Sequence, residues 1–236
     1  MHETQTKAGL SVHPLLHLHA ASATRYVDSE SAIAIFSAAL HARGICTHSH
    51  CQRVIHYALT LGRLVGLSMK DLRTLERGVF LHDVGKIYVP DSVLRKPGHL
   101  TERERLVMQQ HAAVGYEMVS AFAALTDVAD IVLSHHERFD GSGYPFGLQG
   151  EAIPLGARIC AIADSLDAPT SHRPYRNPMS FADACAYVES ESGTHFDPVL
   201  IGHFTAITPA GWYDWSSKGV LAGTPCLWRT RIGSPP

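Results

Sequence analysis

The chain has 236 residues, 45% hydrophobic and 18% charged, which suits one large domain or two small ones and predicts a single compact core with short tails. A formal net charge of −2 and a pI near 6.8 exclude a chain-wide basic surface for a nucleic acid polymer or an anionic membrane, so any anionic ligand must be held locally. The odd set Cys46, Cys51, Cys160, Cys185 and Cys226 holds no two-residue-spaced pair, which fits reduced thiols in a cytoplasmic protein, and no apolar run reaches the roughly 18 residues needed to span a bilayer.

Residues 1–30 read as a lead-in, loosely helical at most, in which His13, His17 and His19 alternate with leucine and alanine. From Ser31 to Arg43, Ile33, Phe36, Ala39 and Leu40 fall at helical spacing and Gly44 supplies a stop. A second helix over His48 to Val65 carries Val54, Ile55, Ala58 and Leu61, with His50 in its first turn. Ser68, with Asp71 three residues on, caps a third helix that runs into His82 and Asp83. Val84 to Leu100, with two glycines and two prolines, predicts a connecting loop.

Thr101 and Glu104 open a further helix on which Val107, His111, Val114 and Met118 share one face, so His111 points inward. Thr126 to Ser134 predicts a short apolar helix that delivers His135 and His136 into the tight turn Gly-Ser-Gly-Tyr-Pro. Gly156 to Asp167 is helical, with Asp164 among apolar neighbours. Ser180 and Asp183 cap another helix, and Asp197 before Pro198 caps the last. Residues 208–236 lose periodicity and read as a tail or small appendage, able to pack back through Trp212, Trp215 or Trp228.

The inward-pointing polar residues are His50, His82, Asp83, His111, His135, His136 and Asp164. Unpaired in a core they would cost far too much, and one or two divalent ions would satisfy them together. Nitrogen and oxygen donors without thiolate suit iron, manganese or zinc, and Asp83, beside a histidine, is the natural bridge. Read alone, Lys86 is a cation after a helix end, Tyr144 a packing residue of its loop, and Glu137 a loop anchor.

At these residues the sequence resembles the HD-GYP subgroup of the HD phosphohydrolase superfamily. The resemblance rests on Thr47 to Val54, Leu81 to Ile87, His111, His135 to Pro145, Asp164 to Asp167 and Arg173-Pro174-Tyr175-Arg176, and covers about residues 31–207. It implies an all-α, HD-type helical bundle with an extended GYP loop, acting as a metal-dependent phosphodiesterase on cyclic di-GMP to give linear pGpG or GMP. It also implies that His50, His82, Asp83 and Asp164 hold one metal and Asp83, His111, His135 and His136 the other. Lys86 would then lie beside the phosphate, with Tyr144, Arg173 and Arg176 contacting substrate. The expected cofactors are two divalent ions, iron or manganese before zinc, with a hydroxide bridging them as the nucleophile.

Two departures stand out. Cys46 occupies the position, one turn before His50, where some relatives carry an acidic residue, so two ions are expected rather than three. Pro169 and His172 replace a leucine and an aspartate of the family pattern, which bears on the aim of Arg173. The competing expectation is a weakly active regulatory module that binds a partner such as a diguanylate cyclase through the GYP loop. Either reading leaves room for a homodimer.

Overall fold

Side-chain caps set most of the helix starts. The computed structural model describes residues 27–45, 48–167, 179–208, 210 and 212, and all regular elements among them are helical, as expected. Helix α1 (Ser29–Ala42) begins two residues earlier than its apolar pattern suggests, because Asp28 accepts a hydrogen bond from the Ser31 N–H at 2.9 Å. Helix α2 (His48–Leu64) follows, then α3 (Met69–Leu81), whose cap Ser68 accepts from Asp71 N–H. The capping box of Thr101 and Glu104 opens α5 (Glu102–Ser120). Helices α6 (Ala129–Ser134), α7 (Leu155–Asp167), α8 (Phe181–Ser190) and α9 (Pro198–Phe204) complete the set, the last two capped by Ser180 and Asp197.

Two local expectations are corrected. The stretch from Val84 to Leu100 is not simple loop: it holds a 3-10 turn at Val84–Tyr88 and a short helix α4 (Asp91–Leu94). The 3-10 turn forms because Val84 and Gly85 are buried against α5, and α4 starts where the Pro90 carbonyl accepts from Val93 and Leu94. The segment leading to His135 likewise begins as a 3-10 turn at Ala123–Val128 before α6.

The core joins Val54, Ile55 and Leu61 of α2, Leu72, Leu75 and Val79 of α3, Val119 of α5 and Ile159 and Ile162 of α7. Helix α2 packs on both α3 and α7, which brings the first turn of α2 to the end of α7. Trp212 returns to this core, stacking on Phe204 at 5.2 Å and donating its indole N–H to the Phe204 carbonyl. Trp215 and Trp228 lie outside the described residues. Cys160 and Cys185 are free and buried, but Cys51 is disulfide-bonded, so the expectation of reduced thiols fails there. No helix among the described residues is long and apolar enough to cross a membrane.

Candidate metal centre

The site forms where α3 runs out. His82 ends the helix, Asp83 turns the chain, and the 3-10 turn presses on α5 at Gly85. A Cβ at Gly85 would sit 2.0 Å from the His111 carbonyl oxygen, so only glycine permits this approach, which brings Asp83 beside His111. The Asp83 carboxylate divides its oxygens. Oδ2 lies 3.5 Å from His82 Nε2 and 2.6 Å from Lys86 Nζ, while Oδ1 lies 3.5 Å from His111 Nε2 and 3.9 Å from His135 Nε2.

Three imidazoles are oriented by their own helices. The Nδ1 atoms of His82, His111 and His135 lie 2.6, 2.7 and 2.8 Å from the carbonyls of Val79, Met108 and Val132, each three residues back. A carbonyl only accepts, so Nδ1 carries the proton and the Nε2 lone pair faces the cavity. There His111 Nε2 and His135 Nε2 stand 3.2 Å apart, and the buried His82 Nε2 and Asp83 Oδ1 have no hydrogen-bond partner. Buried lone pairs and a carboxylate that face one another are satisfied together by a cation, and these donors suit a divalent metal. Two groups of donor atoms lie within 4.8 Å of one another: Asp83, His111, His135 and His136, and separately His50, His82 and Asp164.

His50 differs from the other three. Its Nδ1 donates to Asp167 Oδ2 at 2.6 Å, and its Nε2 lies 3.9 Å from Asp164 Oδ1. Arg53 grips the fully buried Asp167 with Nε on Oδ1 and with Nη2 on Oδ2 at 3.1 Å. Asp164 keeps about 29% of its side chain exposed, at the mouth of the site.

The GYP loop closes one side. Glu137, 2% exposed, accepts from the backbone N–H groups of Phe146 at 2.8 Å and Leu148 at 3.0 Å. Gly143 lets the loop fold onto that glutamate, since a Cβ there would meet the Arg138 nitrogen at 2.3 Å. Tyr144 then stacks on His136 at 4.8 Å, and its peptide to Pro145 is cis. Arg138 donates to Glu191, and the N–H groups of Phe139 and Asp140 to the carbonyls of His195 and Thr194, so the loop is tied to the end of α8.

Electrostatics agree with the geometry. Burial, aided by neighbouring histidines, holds His135 and His136 well below the ordinary histidine range, so both are neutral and free to ligate. Burial also lowers His111. Burial opposes ionisation of Asp83, yet Lys86 and the surrounding imidazoles outweigh it and hold the carboxyl well below its usual range. For His50 burial is again outweighed, here by the Asp167 hydrogen bond and the charge of Asp164, and its pKa rises.

All seven expected ligands thus converge, with Lys86 on Asp83 and Tyr144 against His136. Arg173, Arg176 and Cys46 lie outside the described residues. Sequence reasoning missed Asp167 and Arg53 as parts of the site, although each sits three residues after an expected ligand, Asp164 and His50, on the same helix. Outside the centre, His195 accepts the Phe139 N–H at its carbonyl, its buried Nδ1 has no hydrogen-bond partner, and its ring stacks on Phe196 at 4.1 Å.

The family model described as HD domain matches residues 35–200. Over 154 residues the chain is 48% identical to the cyclic di-GMP phosphodiesterase response regulator RpfG of Xanthomonas campestris pv. campestris, a match covering 64% of this chain and 41% of that protein. It is 40% identical over 164 residues to a cyclic di-GMP phosphodiesterase of Thermotoga maritima (69% and 45% covered). It is 41% identical over 165 residues to 3'3'-cGAMP-specific phosphodiesterase 2 of Vibrio cholerae (69% and 32% covered). The chain therefore spans less than half the length of each of these relatives. Among solved structures, a cyclic GMP-AMP-specific phosphodiesterase of V. cholerae superposes with a TM-score of 0.54 at 23% identity, covering 75% of this chain and 47% of that one. An HDG"Y"P protein from Bdellovibrio bacteriovorus gives 0.55 at 18% identity, covering 75% and 61%. These two likenesses bear on the fold alone. Since the matched span runs from α1 to α9 and encloses both donor groups, the chain belongs to the HD domain family.

Proposed function

We propose that residues 31–207 form a metal-dependent phosphodiesterase that hydrolyses cyclic di-GMP to linear pGpG or GMP. The observation that carries this reading is the divided carboxylate of Asp83, one oxygen toward each donor group. In this reading His50, His82, Asp83 and Asp164 hold one divalent ion and Asp83, His111, His135 and His136 the other, with iron or manganese favoured by the nitrogen-rich, thiolate-free donor set. Such ions lower the pKa of water and neutralise charge on a phosphodiester.

The protein's own groups supply the rest. Lys86, free to leave Asp83 once cations take over its charge, is placed to offset negative charge on the phosphoryl oxygens. Tyr144 keeps its proton, because burial first and the charges of Asp83 and Asp164 next push its pKa up, so its hydroxyl remains a hydrogen-bond donor for substrate. Arg173 and Arg176 would add forked contacts to phosphate or guanine. The cyclic di-GMP and 3'3'-cGAMP phosphodiesterases among the relatives support a cyclic dinucleotide as the substrate class.

A second reading, a regulatory module that binds a protein partner, draws on Phe146, which is 68% exposed at the loop's turn. Chromatographic assay of cyclic di-GMP, pGpG and GMP separates the two. Turnover by the metal-loaded protein supports the enzyme; metal-loaded protein without turnover supports the module.

A further inference from the structure

Four histidines of the centre have Nδ1 held by a hydrogen bond, three in one way and one in another, and the exception has a local cause. His82, His111 and His135 each use a carbonyl three residues back in the chain, so their orientation comes with the backbone itself. His50 is the third residue of α2, and three residues back is Thr47, before the helix begins. Its Nδ1 is met instead by a carboxylate from another helix.

We propose that Asp167 is a positioning residue for one half of the metal centre: held by Arg53, it orients His50 so that the His50–His82–Asp164 half, and not the half built on His111, His135 and His136, depends on this buried ion pair. The inference rests on the two-metal reading above. Asp167 is not placed to ligate, because Oδ2 is committed to His50 and Arg53 and Oδ1 to Arg53. Its carboxylate fixes the Nδ1–H tautomer, keeps the Nε2 lone pair toward Asp164, and makes that imidazole a stronger donor than one bonded to a neutral carbonyl. Arg53, on the same face of α2 one turn after His50, offsets the charge that burial would otherwise make costly. The trio therefore also joins the start of α2 to the end of α7.

The test is titration of metal-free protein with Mn2+, counting ions bound and following the change from isolated to paired manganese by electron paramagnetic resonance. The unaltered chain should bind two ions. Asp167→Asn should bind the first as before and the second roughly 10- to 100-fold more weakly. In a His50→Ala background Asp167→Asn should add nothing, whereas in a His111→Ala background it should weaken the remaining ion. Should Asp167→Asn fail to fold, Arg53→Met, which leaves the Asp167–His50 bond in place, must show a smaller loss confined to the same ion. Two ions bound with unaltered affinity in either folded variant, or equal weakening of both, overturns the inference while leaving the two-metal reading intact. An unaltered chain that binds no Mn2+ overturns that reading and this inference with it.

Discussion

The two halves of the metal centre obtain the same result by different means. The half made by His111, His135 and His136 is oriented from within: main-chain carbonyls of Met108 and Val132 aim two of its rings, and Tyr144 covers the third. In the half that includes His50, the Val79 carbonyl aims His82, but His50 itself is oriented across a helix interface by Asp167 and Arg53. A backbone acceptor cannot be removed by a side-chain change. The lesson is that identical ligand types can differ in how easily mutation unseats them. Asp83, contributing an oxygen to each half, is where the two meet.

The largest expected effect erases the comparison. Asp83→Ala should release both ions and abolish hydrolysis, because no other carboxylate oxygen among the described residues is placed between the two groups. Metal analysis reads this directly, and one retained ion would contradict the bridging role. Next comes the internally oriented half. In Gly85→Ala the new Cβ meets the His111 carbonyl at 2.0 Å, so the 3-10 turn must move off α5, and a stability loss of about 3 kcal/mol is expected in denaturant unfolding. An unchanged midpoint would show that the contact is not needed.

Glu137→Ala addresses the loop that covers this half. It leaves the Phe146 and Leu148 N–H groups without their charged acceptor, at about 2 kcal/mol, and should raise KM while metal content stays constant. Metal lost in parallel with substrate affinity would place Glu137 closer to the ions than the geometry does. The smallest effect is in pH. Burial first, then the charge of Arg138, hold His195 down to about 4 from the model-compound value of 6.5. The unfolded chain then takes up this proton first, so the stability is present above pH 6.5 and is lost as pH falls through about 4. Compared with the unaltered chain, His195→Asn should flatten this part of the stability curve by on the order of 1 kcal/mol, allowing for partial exposure. Parallel curves for the two proteins would remove His195 as the source.

How much of this was legible in the sequence follows the same division. Helical phasing and caps exposed the ligands and most helix starts, because those signals lie within one element: His111 falls on the apolar face of α5, and Thr101 with Glu104 announces its beginning. The Asp167–His50–Arg53 trio was hidden because its meaning depends on α2 meeting α7, and in one dimension Asp167 is only the last residue of a helix. The 3-10 turn after Asp83 was masked by its surroundings, since Gly85, which with the prolines suggests loop, also permits a close approach to α5. Odd cysteine number and spacing could not reveal that Cys51 is oxidised.

The most direct test of the two-metal phosphodiesterase is metal analysis of protein purified without oxygen, with chromatographic assay of cyclic di-GMP on the same sample. Two divalent ions per chain together with conversion to pGpG or GMP is the predicted result; fewer than one ion per chain with no turnover would contradict it.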